Sequence, residues 1–282
     1  MSLATDPIYS GAEHPLVSLF NETRQVFLEL GFEEDTSAWV ESAFWDFDAL
    51  FQPQDHPARD MQDTFYLENP ARADLAHSEE IIKRVQATHE HGGNTGSTGW
   101  DYAWSRQMAE ATVLRTHNTA TSIRRLAARP WPSYKSFALG PVFRRETIDY
   151  KHLPVFHQVD GIIVDEQGSF AMLLGVLKTF YEKMGFTQFQ FRPAFFPYTE
   201  PSVEIFVWSD NKKDWIEMGG AGVFRPEVTE PLGCTVPVIA WGLGLERLAM
   251  FRLGLDNITE LYRGRLSWLK SVSLKERYRC LS

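Results

Sequence analysis

Apolar residues recur along this chain first at helical spacing and later at strand spacing. Leu16, Leu19, Phe20, Phe27 and Leu30, with Thr23 among them, share one face of a 3.6-residue repeat. Pro15 to Leu30 therefore predicts a long amphipathic helix, with Gly31 placed to end it. Ser78 to His89 predicts a helix with Ser78 as N-cap, Thr119 to Arg129 one closed by Pro130, and Ser169 to Met184 one stopped at Gly185. Phe44 to Met61, with Pro53, Pro57 and several acids, reads as loop, and His91 to Gly99 as a flexible linker. From Thr187 to Trp241 the period changes: TQFQFRP, SVEIFVW, DWIEMGG and VPVIAWG alternate or are β-rich, with no helix-length segment between them. Successive strands without helical crossovers pair mostly antiparallel, because parallel neighbours need a long connection. A last helix starts near Glu246 and runs through Leu248, Phe251 and Leu253. The pattern predicts an α+β fold, one domain with an antiparallel sheet and helices packed on it.

Within this pattern VFRRETIDYKHLPVFHQVDG (Val142 to Gly161) puts charges where a strand would carry apolar residues. Alternation places Arg144 and Glu146 on one face, and Phe156, Gln158 and Asp160 on one face of the returning strand. As an antiparallel hairpin it gathers an arginine, two carboxylates, a ring and an amide. That set suits a small ligand with an anionic end, a planar ring and an ammonium, since arginine grips phosphate or carboxylate bidentately. An exposed, salt-bridged hairpin fits these residues equally well.

Composition narrows the classes. A chain of 282 residues, 44% hydrophobic and 23% charged, is long enough for one large domain with a real core. No apolar run has the length of a transmembrane helix, so no membrane partner is expected. Cys234 and Cys280 lie far apart without metal or redox spacing, which suggests a reducing, cytoplasmic setting. A net charge of -9 argues against a generic nucleic-acid binder. The C-terminal stretch departs from it, with Arg263, Arg265, Lys270, Lys275, Arg277 and Arg279 against Glu276. A solvated helix and a phosphate-facing patch both fit that run. His89 and His91 beside glycines read as a solvated loop rather than a metal site.

Gly242-Leu-Gly-Leu-Glu-Arg247 follows a β run, with Arg247 in the first turn of the next helix. A lone Gly-x-Gly marks only a tight turn. Downstream of a Phe-Arg-x-Glu hairpin, however, the segment resembles motif 3 of class II aminoacyl-tRNA synthetases, the hairpin resembles motif 2, and the helix at Pro15 stands where motif 1 belongs. FDALFQPQDHPARDMQDTFYL (Phe47 to Leu67), LRTHNTA (Leu114 to Ala120), FFPYTEPS (Phe195 to Ser202), GGAGVFRPE (Gly219 to Glu227) and IAWGLGLERLAM (Ile239 to Met250) narrow it. They are similar to the alpha chain of phenylalanyl-tRNA synthetase, archaeal and eukaryotic branch, from about His14 to Ser273. That family's fold is an antiparallel sheet flanked by helices.

The resemblance implies phenylalanyl-adenylate formation from phenylalanine and ATP, then transfer to tRNA(Phe). Arg144 would hold the α-phosphate and the amino-acid carboxylate, Glu146 would lie near the adenine and Phe156 would stack on it. Arg247 would cover the ring's other side and reach the γ-phosphate, and His152 would lie near the terminal phosphates. Gln158 and Asp160 would accept from the phenylalanine ammonium, with Val159 between them. His117 and Thr119 would form the opposite wall, Phe196, Tyr198 and Phe224 would wall the side-chain pocket, and Ala240 and Gly242 would leave room at its floor. Core packing is the other reading of each aromatic. Glu200 matches a magnesium-binding carboxylate, with Glu217 as the second candidate for Mg2+.

Alpha chains of this branch carry an N-terminal, tRNA-contacting extension. Here residues 1–14, opening with Met1-Ser2-Leu3, read as leader or linker, and 15–282 as the catalytic domain. The resemblance further implies a beta chain and an (alpha-beta)2 heterotetramer. Two alternatives stand beside it. One is a phosphoseryl-tRNA synthetase-like enzyme, whose pocket should be small and basic or hydroxyl-rich. The other is a catalytically silent paralogue that binds an amino acid or a partner protein.

Overall fold

In the computed structural model, residues 13–272 are described, except 37, 61–62, 130–132, 151 and 211. Met1-Ser2-Leu3, Pro130, Lys275, Glu276, Arg277, Arg279 and Cys280 lie outside the described residues. The first helical stripe forms α1 (Pro15–Glu29), with His14 Nδ1 accepting from Leu16 N, and Leu16, Leu19, Thr23, Val26 and Phe27 buried. Gly31, at φ 82, turns the chain out of it into β1 (Glu33–Asp35).

β2 (Val40–Ser42) leads into α2 (Ala43–Asp46), and turns of 3-10 helix follow at Asp48–Leu50 and Pro57–Arg59. The stretch expected to be loop is thus partly helical, and Phe44, Trp45, Phe47, Leu50 and Phe51 are buried. Its acids do not keep it at the surface, because Asp48 is buried with partners. Asp48 accepts from Trp104 Nε1 (2.7 Å), Gln54 Nε2 (3.0 Å) and Arg59 Nη1 (3.1 Å).

α3 (Glu79–His91) runs two residues past His89, and Ser78 caps it without a side-chain hydrogen bond. Glu79 and Glu80 in its first turn face the helix's positive end instead. The glycine-rich stretch after it is a packed turn rather than a linker. Trp100 N donates to His89 O (2.7 Å), and a Cβ on Gly99 would lie 2.7 Å from that carbonyl oxygen. Next come α4 (Arg106–Ala109), β3 (Thr112–Leu114) and α5 (Thr119–Ala128).

The hairpin strands are β4 (Tyr134–Phe143) and β5 (Val155–Val164). α6 (Phe170–Lys183) is capped by Ser169, whose hydroxyl accepts from Met172 N. Strands β6 (Phe189–Pro193), β7 (Thr199–Ser209) and β8 (Asp214–Phe224), short α7 (Pro226–Thr229) and β9 (Val238–Gly244) then lead to α8 (Leu245–Leu253). Two short helices, α9 (Glu260–Arg263) and α10 (Leu266–Ser271), follow the one expected to be last.

The seven-stranded sheet runs β1-β4-β5-β9-β8-β7-β6. Every pairing in it is antiparallel except β1 with β4. β2 and β3 pair apart from it. One face packs on α1, α6 and α8 through Leu19, Phe27, Leu177, Phe180, Trp241 and Leu248. The other packs on α3 and α5 through Ile82, Val85, Ile123, Leu126, Ile162 and Val164.

Candidate active site

The second face of the sheet is apolar at one end and hollow at the other. Along β5, Ile162 and Val164 join the core, whereas Asp160, Gln158 and Phe156 line a cavity of about 350 Å³. Val159, expected at the ligand, is the exception. It points to the opposite face and is fully buried with Phe137 and Ile163, because one residue's step along a strand reverses the side chain.

The floor is made of paired strands with almost no side chains. Gly242 on β9 stands opposite Asp160 on β5 and Gly220 on β8. A Cβ on Gly220 would come 2.5 Å from the Phe196 ring, and one on Gly242 3.2 Å from the Asp160 carboxylate. Larger residues at either position would close the space.

Three polar groups converge at the inner end. Asp160 is 1% exposed, and its Oδ2 accepts from Thr119 Oγ1 at 2.6 Å. Asp160 Oδ1 and Gln158 Oε1 are buried without a hydrogen-bond partner among the described residues. Burial raises the Asp160 pKa, against the hydrogen bond from Thr119 and the charges of Arg115 and Arg144. Two acceptors left open this way suit a bound cation. Both ring nitrogens of His117 are likewise buried, and Nδ1 lies 3.9 Å from Asp46 Oδ1; burial pushes its pKa down to about 4, against its contact with Asp46, so the ring is neutral. Behind it, fully buried Asp46 accepts from Thr116 N (3.1 Å) and Thr116 Oγ1 (2.9 Å). Burial lifts Asp46 to about 7, with the Thr116 hydrogen bonds opposing.

Beside these groups lies a slot walled by rings. Phe196 and Tyr198 stack at 5.9 Å, and Tyr198 meets Phe224 edge-on at 6.5 Å. Phe224 and Ala240 belong to the core cluster of this face, so the slot is an open continuation of that core. Burial pushes the Tyr198 phenol up to about 12.

The outer end is more exposed and carries charges of both signs, Arg144 and Arg247 among Glu146 and Glu217. β4 stops at Phe143, so Arg144 and Glu146 are not on a strand as alternation suggested. Arg144 N still donates to Pro154 O (3.0 Å), but Arg145 N turns away to Asp63 O (3.0 Å). Arg144 nevertheless lines the cavity. Its Nε donates to Thr116 O (3.2 Å) and its guanidinium lies 5.2 Å over the Phe156 ring. Arg247, in the first turn of α8, donates to Glu217 O and Glu217 Oε2, each at 3.0 Å. His152 is held by Asp149 through N (2.7 Å) and Nδ1 (2.9 Å), with Nε2 3.8 Å from Glu146.

Of the two carboxylates considered for magnesium, Glu217 lines the cavity with Arg247 on it, and Glu200 is exposed on β7 outside the lining. No group of three or more metal-ligating residues occurs among the described residues, so these side chains do not fit a protein-built Mg2+ cage. Sequence reasoning missed Glu246, which also lines the cavity; a glutamate in a helix's first turn is unremarkable by itself. It also missed a second chamber of about 340 Å³ that adds Gln52, His56 and Asp63 to walls shared at His117, Arg144, Glu146, Phe196 and Tyr198. No helix among the described residues is long and apolar enough to cross a membrane.

A mainly antiparallel sheet carrying a cavity between a motif-2-like hairpin and an arginine-bearing helix has the arrangement of a class II synthetase core. Pyrrolysyl-tRNA synthetase from Desulfitobacterium hafniense has this fold, with a TM-score of 0.60 at 16% identity over 89% of this chain and 74% of that one. The family described as "tRNA synthetases class II core domain (F)" matches residues 1–272, and the chain belongs to it. It is similar to proteins named phenylalanine–tRNA ligase alpha subunit. Identity is 55% over 94% of this chain and 51% of the relative in Methanopyrus kandleri. It is 53% over 96% and 56% in Archaeoglobus fulgidus. The chain thus spans about half the length of the curated relatives it matches.

Proposed function

We propose that this chain activates L-phenylalanine with ATP and passes it to tRNA(Phe), as the catalytic alpha chain of phenylalanine–tRNA ligase. The observation that carries the reading is the adjacency of two open acceptors, Gln158 Oε1 and Asp160 Oδ1, to the slot walled by Phe196, Tyr198 and Phe224. An ammonium meets the acceptors, a phenyl ring fills the slot, and the carboxylate then points toward Arg144. The names of the relatives support it.

The phenylalanine carboxylate attacks the ATP α-phosphorus in line, forming an acyl–phosphate bond as the bond to pyrophosphate breaks. It is ionised already, so the step needs positioning and charge stabilisation rather than a base. Arg144 supplies charge at the α-phosphate, and Phe156 with Arg247 brackets the adenine, Arg247 reaching toward the γ-phosphate. Glu146 and His152 lie at the adenine and phosphate ends. Arg144 leaves the Phe156 face when adenine takes it. Mg2+ carried on the ATP phosphates would offset their negative charge. In the second step the 2′-hydroxyl of the tRNA 3′-terminal adenosine attacks the acyl carbon, and AMP departs with the proton. The second chamber gives that nucleotide room on the shared wall. The beta chain completes an (alpha-beta)2 enzyme in the cytoplasm.

A phosphoserine ligand would place its phosphate among Phe196, Tyr198 and Phe224 with no cation, which disfavours that alternative. A silent paralogue would have little use for both Arg144 and Arg247 in one cavity. The test is amino-acid-dependent ATP–pyrophosphate exchange. Phenylalanine should support it and phosphoserine should not, and Arg144→Ala should abolish it. No exchange with the beta chain present favours the silent paralogue.

A further inference from the structure

Glu246 is 1% exposed, yet it carries a carboxylate at the edge of the cavity. Three donors converge on it. His157 N donates to Oε1 (2.9 Å) and Oε2 (2.7 Å), His157 Nδ1 donates to Oε1 (2.7 Å), and the Tyr262 hydroxyl donates to Oε1. All three reach Oε1, and His157 N also reaches Oε2, so a glutamine at this position would turn its NH2 toward the His157 N–H or toward the other two groups. The phenol remains a donor, because burial and the adjacent carboxylate raise its pKa.

The placement of these residues gives the contact a consequence. His157 directly follows Phe156 on β5, and Glu246 directly precedes Arg247 on α8. The β5–β9 ladder ends at Gln158 opposite Gly244, so the carboxylate extends the attachment of β5 beyond its last strand pair. Phe20 of α1 packs against the His157 ring, with the centroids 4.5 Å apart. Tyr262, on α9, adds the chain after α8 to the same oxygen.

We propose that Glu246 is a positioning residue for the nucleotide, setting the spacing between Phe156 and Arg247 by binding β5 and α9 to the start of α8. The inference rests on the nucleotide reading above and assigns to that site a residue that touches neither phosphate nor phenylalanine. Glu246 exerts its effect through the two faces of the base slot and leaves the ammonium site at Gln158 and Asp160 as it is.

The test is phenylalanine-dependent ATP–pyrophosphate exchange by the protein as purified from its own cells, with whatever chains accompany it. Glu246→Gln should raise the KM for ATP about tenfold and leave the KM for phenylalanine within about twofold, as expected for loss of a hydrogen bond to a charged group. Tyr262→Phe, at a half-exposed residue, should raise the ATP KM less and leave the melting temperature unchanged. His157→Asn, which keeps a side-chain donor, should lie closer to wild type than His157→Ala. An unchanged ATP KM in folded Glu246→Gln overturns the inference, as does an equal rise in both KM values. If Glu246→Gln does not fold, Tyr262→Phe decides by the same criterion. A wild type that exchanges with no amino acid overturns the functional reading and the inference together, a result distinct from the variant outcomes.

Discussion

Asp160 is buried, with one oxygen held by Thr119 and the other without a partner among the described residues. If that second oxygen takes the ammonium, Asp160→Asn keeps the shape and removes the charge. The KM for phenylalanine should then rise about tenfold to a hundredfold in pyrophosphate exchange, with the ATP KM little changed. An unchanged phenylalanine KM would remove Asp160 from the site. Behind it, Asp46 and His117 act on stability with opposite signs. Asp46 is raised from 3.8 to about 7, so between those values the folded chain holds a proton that the unfolded chain has lost, and stability falls as pH rises. His117 is lowered from 6.5 to about 4, so there the unfolded chain holds the extra proton, and stability rises with pH. Asp46→Asn should therefore make stability climb more steeply than wild type from about pH 4 to 6.5, and His117→Gln less steeply. Denaturant titrations across that range check both slopes; unaltered slopes would contradict the burial of these groups. Neither effect was legible in the sequence. His117 was expected on the wall of the amino-acid site, but Asp46 fell in a stretch read as loop, and its contact with Thr116 joins segments far apart in the chain.

At the scale of elements, period-two alternation found what it could measure. It sorted Phe156, Gln158 and Asp160 onto one face of β5, and the same rule removes Val159 from the site. Val159→Ala should cost about 1–3 kcal/mol of stability, from lost burial and the cavity left behind, with both KM values unchanged. A raised phenylalanine KM without a fall in melting temperature would return Val159 to the ligand. Alternation failed at Arg144 and Glu146 because β4 ends at Phe143, where Arg145 N turns to Asp63 O in another segment. Proline and acid content misread the Phe44 to Met61 stretch for a related reason. Its buried Asp48 is satisfied by Trp104, Gln54 and Arg59, and such partners become visible only once the chain is folded. Strand periodicity and glycine placement, by contrast, are local, so α1, α5, α6 and the run from β6 to β9 fall close to where the sequence put them.

For the molecule as a whole, one sheet serves two purposes. Its first face is closed by α1, α6 and α8, and its second is core at one end and cavity at the other. On the proposed function, two substrates lie across this second face in a fixed order, phenylalanine against the apolar end and ATP toward Arg144 and Arg247. The most direct measurement is a crystal structure with phenylalanine and a non-hydrolysable ATP analogue bound. The ammonium should lie within hydrogen-bond reach of Gln158 Oε1 and Asp160 Oδ1, and the phenyl ring among Phe196, Tyr198 and Phe224. Adenine should lie between Phe156 and Arg247, with the guanidinium of Arg144 moved from the Phe156 ring to the α-phosphate. A phenyl ring outside the aromatic slot, or an adenine that leaves Arg144 stacked on Phe156, would contradict that order.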